Sequence, residues 1–286
     1  MPITTLADFR NELQKLCHNY WAGLAAERPS ELFHYCNAKG LHGIVTDKVL
    51  WASDIFSLND ASEVDYAMQV AGDVLKKYPA VRPIADRIVD GKLPEVYRSW
   101  QTHVCCFSSE EDSLSQWRAY GAGGYGFAIG FHAGLLFQSM VEKAMIVPIL
   151  YSENRQREKL EAFSVAVSAL LDAATVMPEN DLFVEVAHAI IALMAPIKNP
   201  KFSDEREWRI LHVKAKAEPG GTFFRPIHGA IVPYTKLPVD AKCFSRVIQG
   251  PTLHREFGER SLKIFLNNNA LEHVKVESSV IPLRSL

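Results

Sequence analysis

The stretch Asp204-Glu205-Arg206-Glu207-Trp208-Arg209-Ile210-Leu211-His212-Val213 decides how this chain is interpreted. Its composition predicts a strand over 207–214. Side chains alternate across a strand, so Glu205, Glu207 and Arg209 are expected on one face, which becomes apolar further along. Trp208 and Ile210 are expected on the other face. A strand that is polar at one end and buried beyond it is typical of a strand opening into a cleft.

A simpler alternative is that the strand emerges into solvent at this end. Glu207 and Arg209 would then form a surface ion pair worth less than about 1 kcal/mol. On this segment alone the surface alternative is favoured.

Around this strand, predicted strands and predicted helices come in separate runs. This pattern indicates an α+β fold with antiparallel pairing rather than an alternating parallel sheet. Thr5 and Asp8 form a capping signature for the first helix. Strands are predicted over 32–35, 49–53, 103–107, 126–131, 144–151, 207–214, 223–226, 230–233, 245–249 and 273–277. Helices are predicted over 6–26, 60–78, 84–88, 114–120, 157–176, 181–193 and 256–267, with shorter ones before 44 and before 100.

The composition is that of a globular protein, with 286 residues, 48% hydrophobic, and a formal net charge of -2. We expect one domain over 1–286, made of an N-terminal helical extension (1–29) and an α+β core (30–286). A net charge of -2 does not indicate non-specific nucleic-acid binding, which usually requires an excess of basic residues. A local basic groove is compatible with this net charge. The five cysteines are odd in number and lack C-x-x-C spacing, so neither a disulfide framework nor a structural zinc site is predicted.

The start of the chain, MPITTLADF, has no charged segment followed by an apolar one and predicts no secretory signal. The most apolar stretches, 162–171 and 186–197, are too short to span a bilayer. We therefore expect a cytoplasmic protein without membrane contact. No strand leads into G-x-G-x-x-G or G-x-x-x-x-G-K-[ST], so neither a Rossmann nor a P-loop site is indicated.

Several polar residues have both a functional and a structural interpretation. His34, beside Tyr35 at a strand end, suits a ligand contact through one nitrogen while the backbone fixes the other; a satisfied core histidine is the commoner case. Asp60 and Glu63 suit a reciprocal helix cap, and Asn59 suits the turn before it.

Later in the chain the same ambiguity recurs. Ser108 follows a strand and suits either a ligand contact or the cap of the next turn. Trp117, Tyr120 and Tyr125 flank the glycine-rich loop GAGGYG and suit either stacking on a flat ring or the core. His34, Asp60, Glu63 and His103 are ligand types for a metal, but their spacing does not form a metal motif.

Taken together, a series of motifs resembles a widespread bacterial family, domain of unknown function 2971. In order, these are F-H-Y, G-I-V, V-L-W-A-S, L-N-D-A-S-E, C-F-S-S, S-Q-W-R-A-Y-G, G-F-A-I-G-F, E-R-E-W-R-I, V-P-Y and V-I-Q-G-P, running from about residue 32 to residue 251. That family in turn looks like a distant relative of ADP-ribosyltransferases. The resemblance implies a split antiparallel sheet surrounded by helices, with NAD bound as a substrate and no metal.

The same resemblance implies roles for particular residues. Glu207 would be the catalytic glutamate, Glu205 would orient the acceptor, and His34 would hold the NAD ribose or carboxamide. The sequence departs from the superfamily pattern because Phe107-Ser108-Ser109 replaces an S-T-S triplet. Three aromatic residues compete for stacking on nicotinamide: Tyr120, Tyr125 and Trp51. The full set of expected NAD contacts is His34, Tyr35, Asn59, Ser108, Trp117, Tyr120 and Arg209.

The predicted function is therefore NAD-dependent ADP-ribosyl transfer, as a bacterial toxin or phage-defence effector. The acceptor would be protein, nucleic acid or water, and a neutralising partner protein is compatible with such a role. Two alternatives stay open: a non-catalytic nucleotide-sensing or interaction module with the same fold, and a metal-dependent nuclease or hydrolase using Asp60, Glu63 and His34.

Overall fold

A computed structural model describes residues 3–23, 28–58, 61–89, 100–174, 177–215, 221–227, 229–251 and 255–282. The strands are β1 (Glu31–Cys36), β2 (Val49–Asp54), β3 (Trp100–Ser108), β4 (Phe127–His132), β5 (Met145–Pro148), β6 (Glu207–Ala215), β7 (Phe223–Ile227), β8 (Ala230–Pro238), β9 (Phe244–Gln249) and β10 (Lys275–Ser278). The helices are α1 (Leu6–Ala22), α2 (Ala38–Asp47), α3 (Ala61–Leu75), α4 (Arg82–Val89), α5 (Leu114–Ala119), α6 (Ala133–Met140), α7 (Glu153–Ala173), α8 (Glu179–Met194) and α9 (Arg255–Asn267).

The ten described strands form one open sheet in the order β10-β9-β4-β1-β3-β2-β8-β7, with β6 on β3 and β5 on β6. All described pairings are antiparallel except that of β10 with β9. Strands and helices are thus mixed without regular alternation, which confirms the predicted α+β class.

Strand β3 is the point where the sheet divides. One edge of β3 pairs with β6 along its whole length. The other edge pairs with β1 only where Phe33 faces Ser108, and with β2 only at Ser53 and Asp54. Strands β1 and β2 therefore diverge beside the middle of β3, where His34 lies.

Helices cover both faces of the sheet. On the first face, α1, α3, α4, α7 and α8 pack with Val104 of β3 and Leu211 of β6 into one hydrophobic cluster. On the second face, α2, α6 and α9 pack with Trp208 and Ile210 of β6 into another. The strand β6 thus separates two cores, and the predicted alternation of its side chains from Glu207 onward is confirmed.

The sequence located most elements but missed or misjudged others. The capping box of Thr5 and Asp8 is present at the start of α1. Helix α6 was not predicted, because its residues AGLLFQSM follow a strand without a turn signal. Strand β8 is longer and β5 shorter than predicted. The predicted caps and turn at Asn59 and Asp60, and the helix before residue 100, lie outside the described residues.

The glycine-rich loop after α5 is held tightly against its own helix. A side chain at Gly121 would approach Trp117 to 2.7 Å, and one at Gly126 would approach the carbonyl oxygen of Cys36 to 2.4 Å. Glycine is required at both close approaches. The loop is therefore packed closely against α5 and the end of β1.

No described helix is both long enough and apolar enough to cross a membrane.

Candidate functional site

The two predicted catalytic glutamates flank a change in backbone direction. Glu205 ends a short 3-10 helix (Pro200–Glu205), whereas Glu207 is the first residue of β6. Between them Arg206 adopts a left-handed conformation with φ 43° and ψ 49°, which is uncommon for a residue with a side chain. The expectation that Glu205 shares a strand face with Glu207 is therefore wrong, because Glu205 precedes the strand.

Despite this, both glutamates bind the same lysine. Lys198 Nζ donates to Glu205 Oε2 at 2.6 Å and to Glu207 Oε2 at 2.7 Å. Glu63 Oε2 of α3 lies 3.5 Å from the same nitrogen. Lys198 is only 4% exposed, so its charge is compensated by neighbouring carboxylates rather than by bulk solvent.

Arg209 adds a second buried cation, 2% exposed. Its Nε donates to Glu207 Oε1 at 2.6 Å, and its Nη2 donates to Glu207 Oε2 at 3.1 Å and also bonds Glu63 Oε1. Its Nη1 donates to the carbonyl of Ala195, just past the end of α8, at 2.5 Å. We call Glu63, Lys198, Glu205, Glu207 and Arg209 the ion network. With all five groups charged, it holds three negative and two positive charges.

The ion network fixes the protonation of its members. Burial alone would raise the pKa of Glu207, but Arg209 and Lys198 outweigh burial and lower it to about 2. The pKa of Glu205 is raised instead, mainly by burial, which its bond to Lys198 only partly offsets. The alternative of a solvent-exposed Glu207–Arg209 pair is wrong, because both side chains are almost completely buried.

Both glutamates line a cavity of about 350 Å³, a volume that includes its open mouth. Its walls come from β1, β3, α5 and the start of β6: Phe33, His34, Tyr35, Cys106, Phe107, Gln116, Tyr120, Glu205 and Glu207. Small-molecule pockets generally occupy about 300 to 1,000 Å³. Because part of this volume is open solvent at the mouth, the enclosed part is smaller than that range and cannot hold a whole dinucleotide.

His34 lies in the cavity wall with one nitrogen committed. Its Nδ1 is 2.8 Å from the carbonyl oxygen of Cys106, which only accepts, so Nδ1 carries a proton. The predicted fixing of one ring nitrogen by the backbone is confirmed. The pKa of His34 is lowered, mainly by burial and further by the charge of Arg225. The ring is therefore neutral at pH 7, with Nε2 as a hydrogen-bond acceptor.

Residues 116–210 match the model of the family described as protein of unknown function DUF2971. This match supports the family assignment from the motifs. No curated protein and no solved structure matches the chain. The matched segment includes Gln116, Tyr120, Lys198 and both cavity glutamates, and it excludes His34 and Glu63.

Two predicted NAD contacts of this DUF2971-like chain hold the cavity together. Ser108 Oγ donates to the carbonyl of Glu205 at 2.7 Å and accepts from the amide of Glu110 at 3.1 Å. The capping alternative for Ser108 is therefore present, and it also anchors Glu205. Tyr35 lines the cavity with its ring, while its hydroxyl donates to the carbonyl of Glu110 and accepts from the amide of Ser113.

The aromatic candidates separate clearly. Tyr120 lines the cavity and is 39% exposed, so its ring is accessible. Trp117 is completely buried; it packs edge-on against Tyr35 and donates to Asp112. Its predicted stacking role is corrected, because the core leaves no free ring face. Tyr125 and Trp51 do not line this cavity, and Trp51 instead stacks on Tyr234 at 4.4 Å between ring centroids.

Arg209 is also placed differently from the prediction. It contacts Glu207 from behind and lines a separate, largely apolar pocket of about 310 Å³ together with Glu63. Arg209 therefore acts on the cavity through Glu207. The capping interpretation of Glu63 does not account for its carboxylate, which bonds Arg209. Asn59, the remaining predicted contact, lies outside the described residues.

Lys198, Cys106 and Gln116 were missed by sequence reasoning. Lys198 had a local signal, since it is a lone charge after the apolar run of α8, between Pro196 and Pro200. The half-buried Cys106 thiol has a raised pKa, mainly through burial and further through the negative charge of Glu207. Nothing in its local sequence distinguishes it from Cys105, which faces the other way into the second core.

Among the described residues, no group of three or more His, Cys, Asp or Glu side chains is arranged to hold a metal ion. Of the three residues in the metal-dependent alternative, Asp60 is outside the described part. The Glu63 carboxylate bonds Arg209 and lies near Lys198. These two side chains occupy the positions from which a metal ion would have to bind it.

Proposed function

We propose that this protein cleaves the bond between nicotinamide and ribose in NAD and transfers the ADP-ribosyl group to an acceptor or to water. One observation carries the proposal: His34, Tyr120, Glu205 and Glu207 line one cavity. These groups come from β1, the end of α5, the 3-10 helix before β6 and the first residue of β6.

Glu207 would stabilise the transition state. As the bond between ribose C1′ and nicotinamide breaks, its electron pair goes to the ring nitrogen and positive charge develops on the ribose, as in glycoside cleavage. A carboxylate with a pKa of about 2 is anionic throughout the physiological range. A fixed negative charge at that point lowers the barrier electrostatically.

The lone pairs of Glu207 limit this role. A carboxylate offers about four acceptor positions. Arg209 Nε, Arg209 Nη2 and Lys198 Nζ occupy three. A ribose hydroxyl would use the fourth.

Glu205 suits the acceptor step. Its pKa is raised and it is 17% exposed, in contrast to Glu207. A carboxylate with a raised pKa is better matched to taking a proton near neutral pH. Glu205 would receive the proton of the attacking hydroxyl or water as the new bond to C1′ forms. Nicotinamide leaves as a neutral molecule, so no general acid is needed.

His34 and Tyr120 would position the substrate. The free Nε2 of neutral His34 accepts a hydrogen bond from a ribose hydroxyl or from the carboxamide of nicotinamide. Tyr120, with an accessible ring at the cavity, would stack on the nicotinamide.

The test measures nicotinamide release and transfer of labelled ADP-ribose to lysate for the parent and two variants. Glu205→Gln is expected to spare release and impair transfer. Tyr120→Ala is expected to raise the KM for NAD, with Tyr120→Phe as the matched control that keeps the ring. Absence of release by the parent at millimolar NAD removes the proposal, and release without transferred label makes the protein a glycohydrolase.

The saturation of Glu207 by two cations favours one second candidate, a nucleotide-binding module without turnover. Both candidates predict stabilisation by NAD, by about 2.7 kcal/mol at 100 times its dissociation constant. Only the transferase predicts nicotinamide release. A thermal shift without release would therefore select the binding module.

A further inference from the structure

Arg225 on β7 is the centre of an aromatic surface on the other side of the division in the sheet. Ser53 pairs with Tyr234, and Tyr234 pairs with Phe223, so all three share a face. Ser53 also pairs with Val104, which lies on the first face of the sheet. Ser53, Tyr234 and Phe223 are therefore on the same face as Glu207. We call the set Trp51, Ser53, Phe223, Arg225, Tyr234 and Lys236 the β7 platform.

The guanidinium of Arg225 is half-buried and has few bonds. Its Nη2 donates to Ser53 Oγ at 2.7 Å, and its central carbon is 5.5 Å from the Trp51 ring centroid and 5.7 Å from that of Tyr234. Its Nε is buried without a hydrogen-bond partner. Within the described ranges, no carboxylate forms an ion pair with it. Burial lowers its pKa, the reverse of what a bound carboxylate would do.

An arginine in these surroundings lowers the stability of the fold unless a ligand supplies acceptors for its N–H groups. A buried N–H that leaves water without a partner costs about 1 to 3 kcal/mol. The planar guanidinium has five donors and fits the paired oxygens of a phosphate. Aromatic rings beside it offer a surface on which a nucleotide base can stack. Lys236 Nζ, 4.6 Å from the Phe223 ring, adds positive charge to the same surface.

The β7 platform is close to the cavity. Arg225 interacts electrostatically with both His34 and Cys105. The cavity itself is too small for a whole dinucleotide. If nicotinamide and its ribose fill the cavity, the diphosphate has to lie beyond its mouth.

We propose that the β7 platform binds the ADP half of NAD, with the diphosphate on Arg225 and the adenine against Trp51. This assignment rests on the proposed function for the identity of the ligand, but binding of ADP does not require turnover.

Calorimetric titration of the full chain with ADP, inorganic diphosphate and adenosine tests the assignment. Arg225→Gln should weaken ADP and diphosphate roughly ten- to a hundredfold, the usual range for hydrogen bonds to a charged group. Trp51→Leu should weaken ADP about tenfold and leave diphosphate unchanged, since stacking acts on the base. Arg82→Gln, which removes an exposed cation on α4, is the control and should bind ADP as the parent does.

The possible results separate the two proposals. If ADP binding depends on Arg225 and no nicotinamide is released, the β7 platform is supported as an ADP site and the proposed transferase activity is ruled out. Release together with unchanged ADP affinity and NAD KM in Arg225→Gln keeps the transferase and overturns the platform. Absence of ADP and diphosphate binding by the parent at millimolar concentration also overturns it.

Discussion

Two arginines on the same face of the sheet have opposite surroundings. Arg209, in the ion network, is almost completely buried and bonds two carboxylates and a backbone carbonyl. Arg225, in the β7 platform, is half-buried and bonds one serine. The burial cost of Arg209 is offset within the protein, whereas that of Arg225 is not. The difference is the one expected if, as we propose, the ion network positions groups for chemistry and the β7 platform binds a ligand.

Removing a cation from the ion network should have the largest effect. Arg209→Gln leaves Glu207 and Glu63 buried without full compensation, which typically costs about 3 to 5 kcal/mol. Urea unfolding measures the loss. Arg157→Gln, which removes an exposed arginine 3.5 Å from Asp73, is the control and should cost less than about 1 kcal/mol. Equal losses in the two variants would show that the network has no special role in stability.

Acid should lower the stability of the fold at pH values well above those that protonate Glu207. Neither ring nitrogen of His103 has a hydrogen-bond partner among the described residues, and burial lowers its pKa from 6.5 to about 4. Between the unfolded pKa of 6.5 and the folded pKa of about 4, the unfolded state binds a proton that the folded state does not. The free energy of unfolding is therefore at its full value above pH 6.5 and falls as the pH is lowered towards 4. The loss is about 3 kcal/mol at 1.36 kcal/mol per unit.

Unfolding free energies of the parent and of His103→Gln between pH 7 and pH 4 check this. The variant should show a shallower decline. Glu207, with a pKa of about 2, should stay ionised throughout this range, so its own titration contributes little to the decline. An identical pH profile for both proteins would contradict the assignment to His103.

Removing the hydrogen bond that anchors the backbone of Glu205 should have a smaller effect on stability and a separate effect on activity. Ser108→Ala removes the buried bond to the Glu205 carbonyl and should cost about 1 to 2 kcal/mol. If the proposed function holds, label transfer should fall more than nicotinamide release. Ser109→Ala is the matched control, because that exposed hydroxyl makes only a 3.5 Å contact with the Arg206 carbonyl.

The smallest effect on folding is expected at the β7 platform. Arg225→Gln removes the unpartnered Nε, which favours folding, and also the bond to Ser53, which disfavours it. These two changes oppose each other, so the unfolding free energy should stay within about 0.5 kcal/mol of the parent. Thermal unfolding without ligand checks this. A loss near that of Arg209→Gln would mean that Arg225 is part of the folded framework, and the contrast between the two arginines would disappear.

The sequence predicted what depends on local patterns. Alternation along β6 placed Trp208 and Ile210 opposite Glu207, and the box at Thr5 and Asp8 began α1 as expected. It did not predict that Glu207 and Arg209 are buried, because their charges are compensated by Lys198, across a turn, and by Glu63, which is 146 residues from Arg209 in the chain. For the same reason, the sequence alone left Tyr120 and Trp117 equivalent.

The left-handed Arg206 has a consequence for how such a site can diversify. Glu207 is held in register by β3, whereas Glu205 belongs to a turn that ends before the strand begins. A relative could lengthen or shorten that turn and move the first glutamate while the second keeps its place. On the proposed division of work, preference for an acceptor could then drift between relatives while cleavage of the donor is preserved.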